Sequence, residues 1–340
     1  MASPESLHAA QGSTEVDPNL GEKDSAYGGD DNDLYAVSEE TAITSLSSSV
    51  LNYPIENGRR YHAYQEGKYV LPNDEIEKDR LDMSHHMMIL ATDGKHHLAP
   101  IGDNPQRILD IGTGTGIWCI EMGDKYPSAE ILGNDLSAVQ PTLVPPNVRF
   151  ELDDVEAEWT YSNPFDYIHC RYLAGGIAEW PGLINKIYKH TKPGGWAEFQ
   201  DYMMMYYSED GSLEGTDYER WITIACEAAE KFGRTLSPAR NLEERVRDAG
   251  FVDITHRVVK LPNGPWPDDP LLKQIGTFNM LNLLEGIEGF SMALFTRVLG
   301  WTAEEVQVLI AKVRKDCSNP NIHAQQDFHI VYGRRPEEEA

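Results

Sequence analysis

Between residues 107 and 201, short apolar runs alternate with stretches of helical spacing. RILDIG (107–112), EILGND (130–135), VRFEL (148–152), DYIHCRYL (166–173) and WAEFQDY (196–202) are short and bounded by turn formers, which predicts strands. GIWCIEMGDKY (116–126) and PGLINKIYKHT (181–191) carry the helical period. Strands that alternate with helices make βαβ units, so the class is α/β with a mainly parallel sheet and helices on both faces. Further along, 216–233 and 241–250 are predicted helices, 252–261 and 327–335 late strands, and 268–316 a helical insertion between them. Residues 51–100 are polar and aromatic with helical patches, DEIEKDRLDMSHHMMILA (74–91) being the longest.

Residues 1–50 break the pattern. They hold ten acidic residues against one basic one, Lys23, and few periodic apolar positions, so a disordered acidic tail is expected. The chain of 340 residues carries a formal charge of -26, which disfavours a nucleic-acid surface because phosphate would be repelled. With 41% hydrophobic residues it can bury a sizeable core. No apolar run approaches the ~18 residues of a membrane span. The first residues have neither the basic region nor the apolar region of a secretory signal. Cys119, Cys170, Cys226 and Cys317 are scattered, which points to free thiols in a reducing compartment, cytoplasmic or nuclear.

The strongest local signal is ILDIGTGTGIW (108–118), a strand running through Gly112, Thr113, Gly114 and Gly116 into a helix. The glycines allow backbone to approach a ligand, and the helix start offers free N–H groups. A dinucleotide fingerprint would place its third glycine where Ile117 stands. Asp110 precedes the loop and would repel a pyrophosphate, but it can accept from an ammonium group directly or through water. S-adenosylmethionine has an ammonium, a sulfonium and no phosphate, so it fits better than a nicotinamide dinucleotide. Asp135 and Leu136 follow the next strand about 20 residues on, where an acid can hold both ribose hydroxyls or simply cap a helix. Past the third strand, Asp154 or the competing Asp153 can accept from an adenine amino group, and Val155 can donate its backbone N–H. Cys170, Arg171 and Tyr172 end the fourth strand, near the methionine half or the methyl acceptor; with no partner base in view, Cys170 reads as a packed strand cysteine rather than a nucleophile.

Together with ENGRRYHAYQEGKYVLPNDEIEKDRLDMSHH (56–86), NDLSAVQP, FELDDVEAEW, KPGGWAEFQD, residues 275–314 and DFHIVYGRRP (327–336), these pieces resemble the class I S-adenosylmethionine-dependent methyltransferases. Within them the chain is most similar to the fungal LaeA-like methyltransferase family. The resemblance implies a Rossmann-like, seven-stranded sheet with its last strand antiparallel, a methyltransferase domain over 101–336, and an N-terminal helical lid over 51–100. It implies S-adenosyl-L-methionine as cofactor and a small-molecule or protein acceptor. Members act either in biosynthesis or as regulators of secondary metabolism with velvet-type protein partners, so a regulatory role with little catalysis stays open.

In the lid, Tyr61, Tyr64 or Tyr69 can cover the sulfonium by a cation–π contact, or merely pack. Met203, Met204 and Met205 can line an apolar acceptor pocket. If the acceptor must lose a proton, the candidates are His62, Tyr172 and Asp201. Adjacent histidines, His85-His86 and His96-His97, point in different directions on a helix and have no ligand-spaced partner, so no metal site is expected. Arg59, Arg60 and Arg80 are expected to pair with local acids such as Glu77 and Asp82.

Overall fold

The computed structural model describes residues 52–338 apart from Glu66; the predicted acidic tail lies outside the described residues. The chain runs β1 (Ile55–Glu56), β2 (Arg59–Arg60), α1 (Glu75–Ala91), β3 (Arg107–Ile111), α2 (Ile117–Lys125), β4 (Glu130–Asp135), β5 (Val148–Leu152) and β6 (Phe165–Arg171). It continues α3 (Trp180–His190), β7 (Thr191–Tyr207), α4 (Asp217–Lys231), α5 (Leu242–Asp248), β8 (Val252–Pro262), α6 (Pro270–Leu294), α7 (Ala303–Cys317) and β9 (Gln325–Arg334). Before α1, the predicted helical character gives way to a small hairpin, β1–β2. Its turn is Asn57-Gly58, both at positive φ, the pairing that a two-residue hairpin turn demands.

The seven-stranded sheet has the order β5-β4-β3-β6-β7-β9-β8. Neighbours from β5 to β7 are parallel, and β9 is antiparallel to both β7 and β8. The order reverses between β3 and β6, and there the carboxyl ends of the strands leave a crevice.

Alternation along β3 decides what faces that crevice. Leu109 and Ile111 join Leu183, Ile187 and Val246 on one face. Ile108 joins Trp118 and Met122 of α2 on the other. Each such side chain contributes about 1.5–3 kcal/mol on burial.

Helices α6 and α7 fill 270–317 between β8 and β9 and pack with α4 around Trp221, Leu283, Ile287, Phe295, Val306 and Ile310. Asp269, Thr216 and Thr302 cap α6, α4 and α7 through side-chain oxygens, Thr302 with Glu305 in a reciprocal capping box. A π-helical turn, Phe295–Leu299, ends α6. Its Arg297 pairs with Glu56 and lies over the Tyr61 ring, tying the hairpin to this helical layer. Among the described residues no helix is long and apolar enough to cross a membrane.

Candidate cofactor and acceptor site

Three adjoining cavities open at the crevice. The first is bounded by the glycine loop, by Asp110, His169 and Arg171, and by His85 of α1. The second lies at the ends of β4 and β5, between Leu136, Asp153, Asp154 and Val155. The third, toward α4 and α6, is walled by Tyr202, Met204, Tyr206, Trp221, Leu283 and Phe290. Tyr69 and Tyr172 line all three.

Gly112 has φ +65°, and a Cβ there would stand 2.5 Å from Leu173 Cδ2, so only glycine lets the loop pass under the β6 end. The loop is then fixed by Asp135. Its Oδ2 accepts from Gly114 N at 2.9 Å and its Oδ1 from Ser137 N at 2.9 Å. Each carboxylate oxygen keeps a further lone pair, enough for two ligand hydroxyls. Burial pushes this carboxyl up to about 6, against the lowering effect of the backbone N–H bonds.

Asp110 is buried and does not meet a ligand alone. His169, its register partner on β6, places Nδ1 2.7 Å from Asp110 Oδ1. A carboxylate only accepts, so Nδ1 carries a hydrogen, and the tautomer with its one hydrogen there leaves Nε2 as an acceptor. Nε2 is buried without a partner among the described residues, and the ring, stacked on Trp118 at 4.1 Å, lines the first cavity. Asp110 and His169 together thus form an acceptor pair for an ammonium group. The sequence reading missed His169; its only signal was the register of β6 against β3.

At the far end, Asp154 is already engaged. Oδ2 lies 2.6 Å from Lys68 Nζ, and Oδ1 accepts from Glu156 N at 3.0 Å. Asp153 spends one oxygen on Asp154 N and has no partner for the other among the described residues, which makes it the freer acceptor. Lys68, with Asn73 donating to Ser137 Oγ at 3.2 Å, straps the segment before α1 across the strand ends.

Several expected site residues are elsewhere. Strand alternation turns Cys170 to the face opposite His169; its thiol points at Glu198 O and burial raises it well above its ordinary pKa, so it neither lines a cavity nor attacks. Gly116 packs its backbone against Phe150 as the left-handed N-cap of α2. His62 is buried behind Tyr69, with ring centroids 6.0 Å apart, and lines none of the three cavities. Tyr61 sits in the core under Arg297, whereas Tyr69 lines all three cavities. Of the three methionines only Met204 reaches the third cavity.

Asp201 is also no base at the reacting atoms. It lies beneath the turn after β6, accepting from Leu173 N at 2.9 Å and Tyr202 N at 2.8 Å. That turn holds Tyr172 at φ +60°, a strained conformation for a tyrosine. Burial pushes the Asp201 carboxyl up to about 7. Protonation replaces one good acceptor with a hydroxyl donor facing an N–H, so the turn holds best when Asp201 is ionised. Turnover should therefore rise through pH of about 7 and lose that dependence in Asp201→Asn, which a kcat–pH profile of both proteins checks.

His85, His96 and Glu121 bring three ligand-type atoms within 4.8 Å of one another, a cluster that sequence spacing did not show. Both imidazole Nε2 atoms lie on one Glu121 oxygen, at 2.7 and 2.6 Å. Arg171, a donor only, holds His85 Nδ1 at 2.7 Å, so His85 carries its hydrogen on Nε2. That tautomer donates to Glu121 and has no lone pair there for a metal. The cluster is a hydrogen-bonded brace that aims Arg171 into the first cavity.

The profile of a family described as "Methyltransferase domain" matches residues 83–256. "Methyltransferase pytC" of Aspergillus terreus is 47% identical over 308 residues, covering 90% of this chain and 95% of that protein. "Secondary metabolism regulator LAE1" of Cochliobolus heterostrophus is 40% identical over 295 residues, covering 84% and 96%. "Protein-methionine methyltransferase laeA" of Emericella nidulans is 36% identical over 284 residues, covering 83% and 76%. With the sheet order described above, these matches make the chain a class I S-adenosylmethionine-dependent methyltransferase of the fungal LaeA-like family.

Proposed function

We propose that the protein methylates a small, neutral, ring-bearing molecule of fungal secondary metabolism, bound in the third cavity. The observation that carries this reading is that cavity's lining. It is mainly aromatic and aliphatic with Arg80, Ser84, Asn282 and Gln326 among it, meets the cofactor cavities at Tyr69 and Tyr172, and includes no carboxylate and no histidine.

S-adenosylmethionine, when bound, supplies an electrophilic methyl on a positive sulfur. The unpaired His169 Nε2 beside Asp110 fits its ammonium, Arg171 its carboxylate, Asp135 its ribose hydroxyls, and Asp153, Leu136 and Val155 its adenine. Burial raises the phenols of Tyr69 and Tyr172, so they stay protonated at neutral pH and act as walls and donors rather than bases. The chain therefore works by alignment: the acceptor's lone pair forms the new bond to carbon, the S–C pair stays on sulfur, and any acceptor proton leaves to water.

Tyr69 faces the sulfonium in this arrangement. Tyr69→Leu should weaken S-adenosylmethionine binding about tenfold and S-adenosylhomocysteine, which lacks the charge, far less, whereas Tyr69→Phe keeps the ratio. Calorimetric titration with the two ligands reads this directly, with NADH as the non-binding control.

A base-free site equally suits a thioether, which has no proton to lose, and a relative is named a protein-methionine methyltransferase. A velvet-type partner belongs to that second reading. Incubation of the protein with methyl-labelled S-adenosylmethionine and a fungal extract separates the two. Label in the organic-soluble fraction supports the small-molecule reading, and label confined to protein overturns it. The four free cysteines favour a cytoplasmic or nuclear location.

A further inference from the structure

Two amide side chains in the third cavity have their polarity fixed by groups that cannot swap roles. Arg80 is buried and paired with Glu77 at 2.6 Å, and its Nη1 lies 2.6 Å from Asn282 Oδ1. A guanidinium only donates, so the oxygen of Asn282 faces Arg80, and Ser84 Oγ also sits 2.7 Å from it. The Asn282 NH2 group is left turned away from Arg80, with no hydrogen-bond partner among the described residues, on a side chain that lines the cavity.

On the other side, Pro262 O accepts from Asn279 Nδ2 at 2.9 Å. A carbonyl only accepts, so Asn279 shows its oxygen to Gln326, whose Nε2 donates to it at 3.4 Å. Gln326 Oε1 is then a buried acceptor without a partner among the described residues, on a side chain 1% exposed that also lines the cavity. An unpaired buried acceptor is costly, and Gln326 Oε1 together with the Asn282 NH2 group, which has no partner among the described residues on the wall of the same cavity, marks two groups of opposite polarity held for a ligand.

We propose that this cavity selects a neutral ring compound carrying both a carbonyl-type oxygen, which Asn282 Nδ2 donates to, and an N–H or O–H, which Gln326 Oε1 accepts from. The inference rests on reading the cavity as the acceptor site. Neutrality follows from Arg80 being already balanced by Glu77 and from the absence of any other charged group in the lining. A cyclic amide or a hydroxylated aromatic ketone has this pattern; a plain hydrocarbon ring does not.

The test uses three neutral bicycles of one size, titrated calorimetrically into the full chain saturated with S-adenosylhomocysteine. 2-Quinolone offers C=O and N–H, coumarin offers C=O without N–H, and naphthalene offers neither. Affinity should fall about tenfold at each step down that series. Asn282→Asp keeps the Arg80 pair but puts an acceptor oxygen in the cavity, and should erase coumarin's advantage over naphthalene. Gln326→Met keeps the shape and removes the acceptor, and should erase 2-quinolone's advantage over coumarin. Unchanged S-adenosylhomocysteine binding in both variants reports intact folding. Equal affinities across the series, or a gradation that neither variant alters, would overturn the proposal. Binding of none of the three beside normal S-adenosylhomocysteine binding would overturn the small-molecule reading of the cavity itself, and this proposal with it.

Discussion

Asp135→Ala is expected to weaken S-adenosylmethionine binding by about 100-fold or more. The carboxylate offers two ribose hydroxyls charged acceptors, each such bond contributing about 1.5–3 kcal/mol, and every 1.4 kcal/mol is about tenfold in affinity. The substitution also strips the partners from Gly114 N and Ser137 N, which fix the loop itself. Calorimetry on the folded variant measures the loss.

The same residue predicts opposite pH trends for binding and for stability. Its pKa is raised from 3.8 to about 6 in the native chain, so between those values the native state holds a proton that the unfolded chain has released. Stability contributed by Asp135 therefore declines as pH rises across that window. Cofactor affinity goes the other way, since only the ionised carboxylate accepts from both hydroxyls, and should strengthen from pH 5 to 7 through about 6. Thermal melts and titrations at matched pH values in wild type and Asp135→Asn separate the two trends; the variant should show neither.

Gly112→Val should damage the loop. Two costs add. A β-branched residue at φ +65° carries about 1–3 kcal/mol of strain, and its Cβ would sit 2.5 Å from Leu173 Cδ2 in a packed turn, adding an overpacking cost of about 1–3 kcal/mol. Leu173 is also the residue whose N–H binds Asp201, so a shift that reaches its backbone would disturb the turn that holds Tyr172. A lowered thermal midpoint and loss of S-adenosylmethionine binding are expected together, whereas Asp135→Ala should spare more of the midpoint. An unshifted midpoint in Gly112→Val would contradict the close approach described here.

What could be seen in the sequence was what is local along the chain. The run from Asp110 through Gly116, and Asp135 after the next strand, lie within one βαβ unit, where strand, turn and helix follow each other in order. The alternation of strands and helices was legible for the same reason. What escaped depends on register and on distant neighbours. His169 matters because β6 pairs with β3 so that it faces Asp110. Cys170, one residue on, falls on the other face by the same rule, although proximity in sequence favoured it. Asp201 has the chemistry of a base, but its place under the 172–174 turn is set by the β6–β7 pairing. Asn282 and Gln326 come from α6 and β9, and nothing in either segment alone says that they share a cavity. Lys68 on Asp154 is likewise a contact between segments 86 residues apart.

Tyr69 and Tyr172 are walls common to the cofactor and acceptor cavities. Occupancy on one side that orders these rings changes the surface met on the other, and such coupling is reciprocal by thermodynamic necessity. Whatever factor bound cofactor adds to acceptor affinity, bound acceptor adds to cofactor affinity. The spent cofactor, which keeps every group except the methyl and its charge, inherits most of that factor. If the third cavity holds the acceptor as proposed, product inhibition should respond to changes at these two rings as well as to the ribose and adenine contacts.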